Sequence, residues 1–538
     1  MSDLNKEPQM EGGLDAETAA EVDAMMKKFD LESNTRIWEG LPKQLIRILM
    51  ALFSVYSMWV TLYSTEMREV RLTTFLGLVV IIGYLSYPMF KSKVRVNQMP
   101  WYDILIMVAG AGSFFYYRFN ATEIIKLSSK VTNDTFMVVI AIIGILSLVE
   151  LCRRCVGIPI LCVVGALLVY TFSSVRFGKV IYDLFYATSG VMNTPIDVAA
   201  KYIVVFIIFG AFLERTGISS FFINFANCAA GSSAGGPAKV AVISSALCGM
   251  VSGSSVGNTV TTGSITIPMM KKTGYKGEFA GAVEAAASTG GQIMPPIMGA
   301  AAFLMAEYMG VAYSEVAVRA ILPAALYFIG IYFAVHLEAK KLGLKGIPRE
   351  ELPKFKDLVR KMYLLAPLVT LVYLVTTGTY TMQKSAAIAI AVTILVGIVN
   401  RDQPITFQKC IDALEAGARG TITVAAACAM AGIVAGCITS TGLASKLISA
   451  IVNVANGQAF IALFLTMICC IILGMGVPTT ANYCIMAATC APILMNDAIG
   501  IVPMAAHFFV FYFGIVADIT PLLHWPPMLA LPSPRHHP

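Results

Sequence analysis

Two short polar runs break an otherwise apolar chain. The first, "CGMVSGSSVGNTVTTGSITIPMM", spans Cys248–Met270, and the second, "ILGMGVPTTANYC", spans Ile472–Cys484. Ser252, Ser254, Ser255, Asn258 and Thr259 crowd oxygens into the first, and Thr479, Thr480 and Asn482 do so in the second. Such oxygens, with the carbonyls of unwound backbone, suit a hard monovalent cation. Where a half-helix starts, its free N–H groups and about half a positive charge suit a carboxylate. Gly253 and Gly257 permit close backbone approach, and Gly474, Gly476 and Pro478 repeat that recipe. Each run is followed about 40 residues later by a proline break, "GQIMPPI" at 291–297 and "ADITPLL" at 517–523. Pro295, Pro296 and Pro521 remove backbone donors and free nearby carbonyls. Asp518 is an acid inside the apolar segment "FFVFYFGIVADITP". An intramembrane acid is functional by default, and capping of the following half-helix is its plainer role. Glu284, in "EFAGAVEAAASTGG", reads equally as a site residue or a buried structural hydrogen bond. Small-residue helix packing alone accounts for "GSSVG". It does not call for hydroxyls, Asn and a double Pro recurring together.

The elements that must position these residues are membrane helices. The chain has 538 residues, 57% hydrophobic and 13% charged, with mean hydropathy +0.74. Soluble domains carry about 25% charge. Apolar segments of roughly 17–25 residues recur along the length, so the fold class is an all-α polytopic membrane protein. In hydrocarbon an unpaired backbone amide or carbonyl costs several kcal/mol, so the polar runs must be buried in protein or line a cavity. The net charge of +7 lies largely in loops and reads as membrane orientation, not nucleic-acid binding. The 12 Cys are scattered through apolar segments and read as small buried hydrophobes. Residues 1–37 read as a polar cytoplasmic tail. Spans are expected near 43–63, 70–90, 101–118, 135–151 and 156–175, forming a scaffold block over 38–185 with no intramembrane charge of functional weight. Placing the basic clusters Lys43/Arg47, Lys91/Lys93/Arg95 and Arg153/Arg154 inside puts the N-terminus in the cytoplasm. The basic stretch 341–361 reads as a cytoplasmic linker.

The segments on either side of that linker resemble each other. "ERTGISSFFINFANCAAG" (214–231) pairs with "TSTGLASKLISAIVNVANG" (439–457), with Gly217 on Gly442 at an offset of 225. Gly249 falls on Gly474 at the same offset, and Pro295 on Pro521 at 226. Matches in order at one offset mark an internal repeat, placed here at 186–340 and 362–521. Gly/Pro-interrupted hydrophobic segments at corresponding positions of two halves point to a secondary-transporter site.

"SGSSVGNTVTTGSITIPMMKKTGYKGEFAGAVEAAASTGGQIMPPIMGAAAFLMAE", "GMGVPTTANYCIMAATCAPIL" and "FYFGIVADITP" resemble the large membrane subunit of tripartite ATP-independent periplasmic (TRAP) transporters. The N-terminal block looks like the small membrane subunit fused in front, an arrangement typical of the TAXI subtype. The resemblance implies an elevator-type transporter with two inverted repeats, re-entrant hairpins and broken helices. It implies import of a small organic acid of the dicarboxylate, 2-oxoglutarate or glutamate class across the bacterial inner membrane. A sodium gradient would drive it, and an extracytoplasmic TAXI-type solute-binding protein would deliver the solute. One sodium site would use Ser252 and Ser255 with backbone oxygens of Gly291, Met294 and Pro296. The other would use Gly474, Thr479, Thr480 and Asp518. The substrate would lie against Asn258, Thr259 and Asn482. No cofactor beyond the coupling ion and no enzymatic activity are expected.

The alternative is a stand-alone elevator-type carboxylate symporter without a binding protein. An intramembrane enzyme lacks support, because the sequence has no H-E-x-x-H motif and His336 and His507 are isolated. A channel has no need of two repeated hairpins. After Pro521 the chain departs from the family pattern and reads "LLHWPPMLALPSPRHHP". With codons chosen to fit, deleting one base from a stretch encoding P-I-A-L-A-A-Y-A-G-S-A-I-A, which continues the family pattern, yields Leu522–Pro534. Residues 522–538 are therefore expected to be a frameshifted tail that leaves the second repeat incomplete and the polypeptide poor in transport.

Overall fold

The computed structural model describes residues 35–90, 95–127, 132 and 134–520. The expectations placed on residues 1–34, on Lys91 and Lys93, on Pro521 and on the tail 522–538 lie outside these. Among the described residues every regular element is helical, and seven helices are long and apolar enough to cross a membrane. The longer helices are numbered here in chain order.

Helices α1 (Gly40–Tyr63), α2 (Arg68–Ser86), α3 (Trp101–Phe119), α4 (Thr135–Cys155) and α5 (Ile158–Ser174) fall on the five expected N-terminal spans, and α6 (Phe177–Phe185) follows them. Buried charge staples this block together. Asp103, fully buried at the start of α3, is ion-paired with Arg36 and with Arg154 of α4, the latter at 2.7 Å. Glu150 sits 2.8 Å from Arg154 and 2.7 Å from Arg153. Removing one member would strand a buried charge, so the cluster is structural in kind. Arg153, Arg154 and Arg47, which pairs with Asp412 and Glu415, are engaged inside the fold rather than free at a lipid boundary.

Helix α7 (Thr194–Glu214) carries a π-helical turn at Ala199–Ile203 and leads into α8 (Ile218–Ala230). A tight hairpin of α9 (Gly236–Ser252) and α10 (Ser255–Lys272) comes next, then α11 (Gly277–Gly290), α12 (Gly299–Met309) and the 30-residue α13 (Tyr313–Leu342). The basic linker docks on α8: Ile347 N donates to Gly231 O at 2.9 Å, and the Cys228 thiol to Pro353 O at 3.0 Å. Helices α14 (Ala366–Thr377) and α15 (Met382–Val399) precede α16 (Phe407–Thr441), the longest of all at 35 residues. Then come α17 (Leu443–Ala455), a second hairpin of α18 (Ala459–Gly474) and α19 (Thr479–Thr489), and α20 (Pro503–Val516).

Helix α16 is the central post. Its most apolar window is 94% buried, against 28% for α1, so protein rather than lipid surrounds it. Its small residues make that possible: a Cβ on Gly432 would lie 2.5 Å from Gly190 O, and one on Gly417 2.8 Å from the Ile208 side chain. The N-terminal block is fastened to this post and to α7. Ser54 Oγ donates to Leu414 O at 2.7 Å, and Arg71 pairs with Asp197 of α7 at 2.7 Å.

The 225-residue offset reappears as backbone conformation. Gly217 and Gly442 both take positive φ, +78° and +66°, where glycine alone is unstrained, and each opens a 13-residue helix. Helix α11 ends in a 3-10 turn, Gly291–Ile293, and an extended Met294; α20 ends in a 3-10 turn, Ala517–Ile519, and an extended Thr520. The two breaks lie 226 residues apart, as the sequence spacing does.

Candidate functional site

In the first half, glycine lets the hairpin lie directly on the broken helix. A Cβ on Gly249 would sit 2.2 Å from Gly291 Cα, and one on Gly253 2.5 Å from Gly299 Cα. Gly253 also turns the tip at φ +59°. This contact brings Ser252, the last residue of α9, and Ser255, the first of α10, beside the segment carrying Gly291, Met294 and Pro296. The Ser254 hydroxyl caps α10 by accepting from Gly257 N at 3.2 Å. Asn258 is 1% exposed and donates through Nδ2 to Ser245 O at 2.8 Å, spanning the two arms of its own hairpin. Its Oδ1 is buried with no donor, and so is Ser252 Oγ. Both residues line a cavity of about 10 Å³, with Glu214, Ser219, Cys248 and Thr261 around it. That is room for about one water-sized body. Thr259 is half-buried one residue further along α10.

In the second half, a Cβ on Gly474 would lie 2.6 Å from Asn482 Nδ2 and 2.8 Å from Ala517 Cβ, so this hairpin also rests on its break. Asn482, again 1% exposed, donates through Nδ2 to Gly514 O at 2.8 Å and leaves Oδ1 buried without a donor. Its anchor is on α20, so this asparagine ties the hairpin to the broken helix. Helix α19 starts after Pro478 with no side-chain cap, so its first N–H groups at Thr479 and Thr480 have no intrahelical partner. Two asparagines 224 residues apart thus offer buried acceptors while each donates one amide N–H to a backbone carbonyl.

The halves meet at Gln292, in the first 3-10 turn and 1% exposed. Its Oε1 accepts from the Thr479 hydroxyl, and its Nε2 donates to Asp518 Oδ2 at 3.5 Å. The structure therefore brings Thr479 and Asp518 together through a residue that motif reading passed over. A signal existed: the match of "GQIMPPI" to "ADITPLL" sets Gln292 on Asp518.

Glu284 is completely buried on α11. Ser245 donates to Oε1 at 2.7 Å, Ser288 donates to Oε1 at 3.1 Å, Thr262 also donates to Oε1, and Thr266 to Oε2 at 2.5 Å. A cage of hydroxyls thus knits α9, α10 and α11 together. Both threonines also reach backbone carbonyls on their own helix, Thr262 to Asn258 O at 2.8 Å and Thr266 to Thr262 O at 3.0 Å. Of the two roles open to Glu284 in the sequence, the cage displays the hydrogen-bonded one.

The family model described as "Tripartite ATP-independent periplasmic transporter, DctM component" matches residues 142–523. The C4-dicarboxylate TRAP transporter large permease protein DctM of Pseudomonas aeruginosa is 28% identical over 185 residues, 34% of this chain and 43% of that protein. The sialic acid TRAP transporter permease protein SiaT of Haemophilus influenzae is 24% identical over 217 residues, 39% of this chain and 34% of that protein. The isethionate TRAP transporter permease protein DctMQ of Oleidesulfovibrio alaskensis is 24% identical over 318 residues, 58% of this chain and 47% of that protein. The chain spans about half the length, or less, of these relatives.

Proposed function

Because this chain belongs to the family of the DctM component of tripartite ATP-independent periplasmic transporters, we propose that it is the membrane permease of a sodium-driven importer of a small organic acid. An extracytoplasmic solute-binding protein delivers the solute, as the relatives' names as TRAP transporter permeases suggest. We assign the N-terminal block, 38–185, to a fused small-subunit-like scaffold of the TAXI type, and the two repeats to an elevator with inverted topology. The membrane is the bacterial inner membrane, with the N-terminus in the cytoplasm.

The observation that carries this reading is the pair of buried, donorless acceptors, Asn258 Oδ1 and Asn482 Oδ1, at corresponding tips. A buried acceptor without a partner costs about 1–3 kcal/mol. A hard monovalent cation relieves that cost at both tips, so the residues present fit the ion. Ser252, Ser255 and the carbonyls of Gly291, Met294 and Pro296 complete one cradle. Gly474, Thr479, Thr480 and Asp518 complete the other. An anionic solute needs donors, and each asparagine amide already gives one N–H to a backbone carbonyl. Its contacts fall to the Thr259 hydroxyl and to the uncapped start of α19, where N–H groups and the helix dipole favour a carboxylate. Binding of the two cations prepares that face by neutralising Asp518 and fixing the tips.

Sodium titration of the thermal unfolding of the purified full chain tests the reading. Sodium should raise the melting temperature where equal potassium does not. Equal effects of the two salts would sink it. Uptake into proteoliposomes without any added soluble protein would instead favour the stand-alone carboxylate symporter.

A further inference from the structure

The side-chain contacts at the centre of the site are not symmetric. Gln292 and Asp518 occupy the same position of the two breaks, 226 residues apart, and they touch each other. Two aspartates there would repel, and two glutamines would bring no charge to a cation. The mixed pair lets an amide hold one carboxylate oxygen and leaves Asp518 Oδ1 free for another partner. The contact is long, 3.5 Å, at the outer limit for a hydrogen bond, so small movements of either break open or tighten it. The other end of the same amide fixes the Thr479 hydroxyl at the tip of the second hairpin. One buried side chain from the first half therefore grips both the hairpin and the broken helix of the second.

We propose that Gln292 is the positioning residue that couples the two cation cradles. This rests on the sodium reading above. Filling the first cradle fixes the Gly291–Met294 turn against the first hairpin tip. That turn carries Gln292, and Gln292 sets where Thr479 and Asp518 stand. The second cradle is then assembled when the first is filled, and binding at either favours binding at the other, as linkage requires. Gln292 contacts no ion in this scheme; it acts through the residues it holds. The second-half cradle on its own lacks an equivalent grip, because Asp518 stands where the amide would be.

The test uses the full chain in detergent, with sodium and potassium chloride as probes and melting temperature as readout. Unmodified protein should respond to sodium alone, along a curve steeper than single-site binding. Gln292→Ala should move half-saturation to at least about fivefold higher sodium, the low end of site-to-site coupling, and flatten the curve to single-site form. Thr479→Val should shift it the same way. Adding Thr479→Val to Gln292→Ala should then cost less than the sum of the two shifts, since the hydroxyl acts through the amide. A Gln292→Ala protein that melts lower at every salt concentration but keeps the original midpoint and steepness would make Gln292 a packing residue and overturn the proposal. Fully additive shifts would also overturn it. Unmodified protein that fails to distinguish sodium from potassium would bring down the sodium reading itself, and the coupling with it.

Discussion

The two hairpin-and-break units share a backbone plan and differ in how they are held. The first is self-contained. Asn258 bonds within its own hairpin, Ser254 caps the second arm, and the Glu284 cage joins both arms to α11. The second is held partly from within and partly from the other half. Asn482 reaches α20, the start of α19 is uncapped, and Thr479 is held from the other half by Gln292. Duplicated backbone geometry thus does not bring duplicated side-chain chemistry. One unit supplies a rigid reference, and the other has the freer donors and the freer carboxylate that ligand binding needs.

Glycine substitutions should break this contrast most strongly. Gly249→Ala drives a Cβ into the Gly291 backbone at 2.2 Å, where nothing can rotate away. A loss of about 3 kcal/mol or more is expected, together with loss of the sodium effect. Gly474→Ala meets the Asn482 amide at 2.6 Å, which can turn, and the Ala517 methyl at 2.8 Å, which can yield only with its backbone but is a milder clash than that at Gly249. About 1–2 kcal/mol is expected there. Denaturant unfolding compares the two, and an equal cost would erase the distinction between the halves. The hydroxyl cage comes next. Glu284→Leu removes an acceptor for four hydroxyls, of which Thr262 and Thr266 retain backbone carbonyls, so about 2–3 kcal/mol is expected. Glu284→Gln keeps the shape and should cost less than half as much in the same assay. Asn482→Ala should lower stability by about 1 kcal/mol through the lost bond to Gly514 O, and weaken sodium protection more than that loss explains. Gly257→Ala is the mildest. Its Cβ would find nothing nearer than Ser254 at 3.6 Å, so melting and sodium response should both stay within about 0.5 kcal/mol of the parent.

Much of the helical plan was legible because its signals are local and repeated. Apolar length located α1 to α5, and the 225-residue offset located the paired breaks and matched Gly217 to Gly442, which the fold gives the same positive φ. What stayed hidden depends on which groups meet across the fold. Asn258 and Asn482 look alike in sequence, yet one gives an amide N–H across its own hairpin and the other to the broken helix beside it. Gln292 carries no charge and sits among apolar residues, so residue type alone gave it no weight; contact with Thr479 and Asp518 does. Arg47 and Arg154 look like interfacial charges until Asp412 and Asp103 are found beside them. Motif spacing places backbone well, and it is silent about partners far apart in the chain.

Equilibrium binding of radioactive sodium to the purified full chain tests the paired cradles most directly. Two ions per chain are expected, falling to one when Asn482→Ala empties the second cradle while the first, with its own hairpin intact, keeps its ion. Binding of no sodium, or a stoichiometry unchanged in the Asn482→Ala protein, would contradict the account.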